Sequence, residues 1–200
     1  MNKGRLFIIS GPSGSGKDTV LNEVFKARCD IAFSISSITR EMRKGETAGE
    51  KYNFISRDKF ERMIKDDELL EYNVYLENYY GTPKAPVLEC IENGKDMFVE
   101  VDVNGAEKIR KKIPQAVSIF IMPPSLKILE HRLSKRGTET QEIVNKRISE
   151  ALSEIKRAVE YDYIVINDAL EDAVEDVLKI IDADRLKTDR NIEFISNVVK

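Results

Sequence analysis

Leu6-Phe7-Ile8-Ile9-Ser10-Gly11-Pro12-Ser13-Gly14-Ser15-Gly16-Lys17-Asp18-Thr19-Val20 decides how the rest of this chain is read. Leu6 to Ser10 is a short apolar run of strand length, and after the glycines Val20, Leu21, Val24 and Phe25 recur at helical spacing. The spacing predicts strand, loop, helix. Between the two elements Gly11 to Lys17 has the G-x-x-x-x-G-K pattern of a Walker A loop. Its glycines let backbone N–H groups turn inward around phosphate oxygens, the helix N-terminus adds its positive end, and Lys17 reaches the outer phosphates. Gly11, Pro12, Ser13, Gly14, Ser15, Gly16, Lys17, Asp18 and Thr19 form the candidate nucleotide cradle, and a nucleoside triphosphate is the expected ligand.

One position departs from that pattern. The residue after the lysine, which usually offers a hydroxyl to Mg²⁺, is Asp18, and the hydroxyl arrives one place late at Thr19. A carboxylate about 5 Å from a phosphate charge costs roughly 3 kcal/mol at an effective dielectric of 20, so Asp18 without a cation would weaken nucleotide binding. With Mg²⁺ interposed the sign reverses, which makes Asp18 the candidate metal ligand, directly or through water.

Outward from the loop, Met97 to Val101, Val117 to Met122 and Tyr163 to Ile166 read as buried strands. Leu170, Ala173, Val174, Val177, Leu178 and Ile181 make one stripe of a helix. Alternating strands and helices predict an α/β fold with a mostly parallel sheet flanked by helices. Two stretches interrupt the alternation. Residues 36–86 are polar, with strand-like fragments and an amphipathic helix at Phe60, Met63 and Ile64, and are expected to be an inserted subdomain. Residues 127–157 are charged at helical period, with Val144, Ile148, Ala151, Leu152 and Ile155 expected inward, and read as a helical hairpin arm. The core is then residues 1–35, 87–126 and 158–184 of a single domain, with 185–200 a tail or short extra helix.

Composition narrows the function. The 200 residues are 42% hydrophobic and 34% charged, with 32 Lys+Arg against 35 Asp+Glu, both signs interspersed, and a net charge of −3. A protein that coats nucleic acid is not expected from that balance. No apolar run approaches the roughly 20 residues of a membrane span, and the apolar stretch near the start is too short for a secretory signal, so a cytoplasmic protein is expected. Cys29 and Cys90 have no CxxC spacing and His131 is the sole histidine, so any metal is held by oxygen. The patterning leaves monomer and homo-oligomer open.

The inserted region carries a second anion site. Arg40 and Arg43 lie three apart in Ser36-Ser37-Ile38-Thr39-Arg40-Glu41-Met42-Arg43-Lys44-Gly45-Glu46, followed by Gly49, Tyr52, Glu71 and Tyr79-Tyr80-Gly81-Thr82. Two guanidinium groups can clamp one phosphomonoester, and tyrosine hydroxyls can supply further donors.

In this ordered set the chain resembles the guanylate kinase family, from Gly11 through Asn167 and the last long helix. The resemblance rests on Ser34-Ile35-Ser36-Ser37-Ile38-Thr39-Arg40, Arg43, Gly45-Glu46, Gly49, Tyr52, Tyr79-Tyr80-Gly81-Thr82, Glu100-Val101-Asp102-Val103-Asn104-Gly105-Ala106, Pro123-Pro124-Ser125, Arg132-Leu133-x-x-Arg136-Gly137-Thr138-Glu139-Thr140 and Tyr161-Asp162-Tyr163-Ile164-Val165-Ile166-Asn167. It implies a P-loop kinase fold with an inserted monophosphate-binding subdomain and a helical lid, and the reaction ATP + GMP to ADP + GDP; the sequence leaves open whether dGMP is also an acceptor. It implies that Arg40, Arg43, Tyr52 and Tyr80 hold the GMP phosphate, and that Ser36, Glu71 and Thr82 read guanine, with Glu46 also in the acceptor set. It implies that Glu100, where the family usually has Asp, and Asp102 lie between metal-nucleotide and guanine, and that Arg132, Arg136 and Arg147 come from the lid to the transferring phosphoryl beside Lys17. The chemistry of Glu71 agrees, because guanine offers N1–H and an amino group where adenine offers an acceptor. Gly16-Lys17-Asp18 and Ile38-Thr39-Arg40 also resemble the ribose 1,5-bisphosphokinase relatives, and Met42, where guanylate kinases usually have Pro, is a further departure, so that acceptor stands as the alternative, with a non-catalytic guanylate-kinase-like binding module as the third.

Overall fold

The structure, a computed structural model, describes residues 3–134 and 141–199. Nine strands and eight α-helices follow one another among these residues. The fold is α/β, with a mostly parallel central sheet flanked by helices. That sheet has five strands in the order β2-β7-β1-β8-β9, namely Ile31–Phe33, Asp96–Glu100, Leu6–Ser10, Val117–Met122 and Tyr163–Ile166. β2 pairs with β7 and β8 with β9 in parallel. All five residues of β1 are buried, as strands with both faces covered must be.

Two compact units can be distinguished. One consists of Ile9–Cys29 and Ser118–Lys200. Its helices are α1 (Lys17–Ala27), α5 (Leu126–Ser134), α6 (Gln141–Lys156), α7 (Leu170–Arg185) and α8 (Ile192–Val198). α1 packs on α7, which buries Val20, Leu21 and Val24 from one side and Ala173, Val177, Ile180 and Ile181 from the other. Phe120 meets Tyr161 edge to face at 5.1 Å. α5 and α6 close on Leu129, Leu133 and Ala151, with Ile148 and Ile155 against them. Leu152, expected inward from periodicity, is 39% exposed instead, because Ala151 and the Ile148/Ile155 ridge already complete the narrow stripe that a two-helix contact buries. The tail forms α8 after a short 3-10 turn held by Asp184, which is fully buried, accepts a hydrogen bond from Arg190 at 2.9 Å and forms an ion pair with Lys187 at 3.0 Å.

The other unit consists of Lys3–Ile8 and Asp30–Val117. It contains a second sheet, β4-β3-β6-β5, made from Tyr52–Phe54, Ser36–Ile38, Asn78–Pro83 and Leu69–Tyr75. Its helices are α2 (Arg57–Lys65), α3 (Lys84–Glu92) and α4 (Val103–Lys112). Ser56 caps α2 by accepting the Lys59 N–H, with Asp58 in the first turn and Arg62 and Lys65 in the last, all favourable to the helix dipole. Phe60 of α2 is fully buried and stacks on Tyr79 at 5.0 Å. β5 and β6 are joined by a two-residue turn in which Leu76 and Glu77 both have positive φ, 46° and 64°. That is the conformation a tight hairpin demands and that Asn-Gly adopts with least strain.

Strand β7 ends at Glu100. Asp102, at the carboxyl end of that strand, is also the N-cap of α4, where its side chain accepts the Gly105 N–H. An Asp with extended backbone just before a helical stretch satisfies an orphan helix donor.

Candidate functional site

The glycine loop lies between β1 and α1, and its local geometry follows from the need to turn a strand into a helix within six residues. Gly16 is the N-cap of α1 with φ 87°, and a Cβ there would lie 2.3 Å from Asn167 Nδ2. Only glycine fits on both grounds. Lys17 is the first residue of α1, and Asp18 and Thr19 are exposed on its first turn.

The loop is braced from its own unit. Asn167, directly after β9, donates from Nδ2 to the Ser15 carbonyl at 2.7 Å, while its N–H donates to the Met122 carbonyl at the end of β8. Arg132 of α5 donates to the same Ser15 carbonyl and to the Asn167 carbonyl, each at 3.1 Å. Arg147 of α6 donates to Ser13 Oγ at 2.6 Å. Two of the three arginines expected in the arm therefore reach the loop, and in this conformation Arg132 is spent on carbonyls that shape it. Arg136 lies outside the described residues. Ser15 Oγ is buried without a hydrogen-bond partner, an orphan that a ligand oxygen in the loop would satisfy.

Asn167 closes the last motif of the sequence, which by itself assigns it no role. It is 5% exposed and bonded through its side chain, N–H and carbonyl. Nothing in the local pattern indicates this, because its partner lies 152 residues away.

In the other unit, sheet register collects the acceptor candidates. Ile38 pairs with Phe54 and Tyr80, Ser36 with Tyr52, Glu71 with Thr82, and Asn73 with Tyr80. Opposed residues share a face and alternate residues return to it. Ser36, Tyr52, Glu71, Tyr80 and Thr82 thus lie on one face, and Asn73 joins them, a residue the sequence reading passed over although it stands two beyond Glu71 on the same strand.

At one end of that face is the arginine. Arg40 forms a bidentate pair with Glu46, 2.7 Å from Nη1 to Oε2 and 2.5 Å from Nη2 to Oε1. Its guanidinium lies 5.4 Å from the Tyr52 ring centroid and 5.6 Å from that of Phe54. The hydrogen bonds from Arg40, and then the backbone N–H of Arg43, hold the Glu46 carboxyl down to about 2, and Arg40 is raised above its ordinary value, chiefly by the bond to Glu46. Arg43 itself is exposed. The stacked, paired Arg40 is thereby fixed in direction.

At the other end is Glu71, 7% exposed. Its Oε1 accepts from Thr82 Oγ1 at 2.8 Å. Gly105 permits its approach to α4, since a Cβ there would lie 3.0 Å from Glu71 Oε2. Burial pushes the Glu71 carboxyl up to about 7; Asp102 adds to the rise, while the hydrogen bond from Thr82 and the charge of Lys108 oppose it. A largely buried carboxylate with one oxygen committed to a hydroxyl is suited to accept from paired N–H donors. Glu100 is half-buried, 3.6 Å from Lys51 Nζ. Among the described residues no group of three or more His, Cys, Asp or Glu forms a metal cage, so a divalent cation here would rely on few protein oxygens, a donor set that fits Mg²⁺ better than Zn²⁺ or Ca²⁺.

A parallel sheet with a braced glycine loop opening a helix, together with a sheet face carrying a fixed arginine and a buried acid, defines an α/β nucleotide-binding enzyme. The model of the guanylate kinase family matches residues 3–184. The chain is 47% identical to the guanylate kinase of Carboxydothermus hydrogenoformans over 95% of its own length and 93% of that protein. It is 46% identical to that of Halalkalibacterium halodurans over 99% and 97%. The crystal structure of guanylate kinase from Anaplasma phagocytophilum superposes with a TM-score of 0.78 at 30% identity, covering 95% of this chain and 90% of that one. This chain belongs to the guanylate kinase family. No helix among the described residues is long and apolar enough to cross a membrane.

Proposed function

We propose that the protein transfers the γ-phosphoryl group of ATP to GMP, and to dGMP, giving ADP and the diphosphate. The observation that carries the acceptor is the buried Glu71, bonded to Thr82 on the sheet face that also holds Tyr52, Tyr80 and Ser36. Ionised, Glu71 accepts from guanine N1–H and the 2-amino group; adenine would present an acceptor at N1 and leave a buried charge unpaired. Arg40, Arg43, Tyr52 and Tyr80 take the acceptor phosphate, and Glu46 keeps Arg40 charged and aimed.

On the donor side the loop Gly11–Lys17 cradles the triphosphate, Ser15 Oγ gains its missing partner, and Lys17, Arg147, Arg132 and Arg136 neutralise charge on the transferring group. No protein base is required, because the GMP phosphate is already a nucleophile near neutral pH; catalysis is in-line positioning and charge stabilisation. Mg²⁺, held by phosphate oxygens, water and Asp18, would supply further neutralisation of the phosphates. If Asp18 has this role, Asp18→Ser raises the Mg²⁺ concentration needed for half-maximal activity; an unchanged Mg²⁺ dependence removes Asp18 from the metal's shell. Two unpaired cysteines, Cys29 and Cys90, accord with a reducing cytoplasmic setting.

The reading is tested by coupled ADP release with GMP, dGMP, AMP, UMP and ribose 1,5-bisphosphate as acceptors. GMP turnover with AMP weaker by roughly 10³-fold or more is expected, given the discrimination a hydrogen-bonding site can reach. Turnover of ribose 1,5-bisphosphate with none of GMP overturns it.

A further inference from the structure

Asn73 stands two residues beyond Glu71 on β5 and opposite Tyr80, so it shares the face that carries the acceptor residues. Its Oδ1 accepts the Val74 N–H at 2.8 Å, which fixes the amide's orientation. The amide nitrogen is thereby directed to Asp102 Oδ2, to which it donates at 2.7 Å. The second Asp102 oxygen accepts the Gly105 N–H at 2.7 Å. Each oxygen of Asp102 therefore has a donor, one from the strand and one from the helix, and the carboxylate cannot rotate without losing a bond. Gly105 is the common neighbour of both acids, since its N–H serves Asp102 and a Cβ on it would lie 3.0 Å from Glu71 Oε2. Asp at position 73 would place a third carboxylate in this corner, and an apolar residue would release Asp102 Oδ2.

We propose that Asn73 is a positioning residue for the base end of the acceptor pocket: by tying Asp102 to β5 it sets that carboxylate at a fixed distance and angle from Glu71, so that the two acids meet a guanine ring as one preassembled set of acceptors. The inference deepens the GMP reading and rests on it. Asn73 acts through Asp102, so its loss affects how GMP is bound and leaves phosphoryl transfer from a fully bound complex intact.

The test is steady-state kinetics on the full chain with GMP varied at saturating MgATP, for wild type, Asn73→Ala, Asp102→Asn and the double variant, with Asn73→Gln as the conservative exchange. Asn itself caps helices well, so Asp102→Asn keeps α4. Asn73→Ala is expected to raise the KM for GMP by about 5- to 20-fold, within the range that couplings between contacting residues span. Its kcat and its KM for ATP should stay within about twofold, and Asn73→Gln should recover part of the loss. In the double variant, KM should be no worse than in Asp102→Asn alone. If Asn73→Ala fails to fold by circular dichroism, Asn73→Thr, a good strand former, takes its place in the cycle. A KM within twofold of wild type, or two effects that multiply in the double variant, overturns the proposal. Wild type that does not turn over GMP overturns the function and this inference together; wild type that does, with the variant unchanged, overturns this inference alone.

Discussion

Glu71→Gln separates the two demands placed on one buried side chain, and both consequences can be worked from the structure. The unfolded chain ionises this carboxyl near 4.5 and the folded chain near 7, because burial disfavours the charge and Asp102 adds to it. Between those values the folded state binds the extra proton. The stabilisation this gives is fully present below 4.5 and is lost as pH rises through 7. A shift from 4.5 to about 7 corresponds to about 3 kcal/mol. Glu71→Gln, which cannot ionise, should therefore gain on wild type by about that amount between pH 4.5 and 8.5. For a chain of this size the relative gain in Tm is about 6–12 °C. Binding moves the other way. The glutamine amide can offer one acceptor to two guanine donors and turns an N–H toward a donor, losing a charge-assisted bond and leaving a mismatch, together about 3–4 kcal/mol or about 10²- to 10³-fold in KM for GMP. In wild type the same titration should raise that KM about fourfold between pH 8 and 6.5. The assays are thermal unfolding across pH without nucleotide, and KM for GMP and AMP in both proteins. A stability gap that stays flat with pH, or a preference among monophosphates untouched by the substitution, refutes the reasoning.

The remaining predictions concern the loop and the hairpin. Asn167→Ala removes one of two donors from the Ser15 carbonyl, and should raise KM for ATP by about fivefold while leaving KM for GMP unchanged, the worth of one buried hydrogen bond being about 1 kcal/mol; equal effects on both nucleotides would mean general destabilisation. Leu76→Asn combined with Glu77→Gly relieves two positive-φ residues at an exposed turn, and should stabilise the protein by about 1–2 kcal/mol, read as a rise in Tm with unchanged kinetics. A lower Tm would show that the turn is held by contacts of its side chains.

Much of the framework was legible because it is written in short-range periodicity. The apolar runs at Leu6 and Val117 are the buried strands and the stripe from Leu170 the helix they indicate, since a buried strand and an amphipathic helix must show their pattern within a few residues, whereas the run at Tyr163, read as buried, is a strand at the sheet edge that buries Val165 and leaves Ile164 and Ile166 exposed. Leu152 misled because periodicity shows which side of α6 is apolar and not how wide a stripe α5 covers. That Asp102 also caps α4 was not legible, because capping is decided by backbone dihedrals that a run of apolar residues does not reveal.

The site divides in the same way. The chemistry of its parts, a glycine loop ending in Lys17, arginines three apart and an acid at Glu71, belongs to residue type and spacing, and the chain carries it before it folds. The pairings were decided by tertiary structure: Asn167 with Ser15, Arg40 with Glu46, Asn73 with Asp102, and the burial that lifts Glu71 to about 7. The reason is physical: a pattern reports what one element needs from its surroundings, whereas a hydrogen-bond direction and a desolvated charge depend on which distant segment supplies the partner or excludes the water.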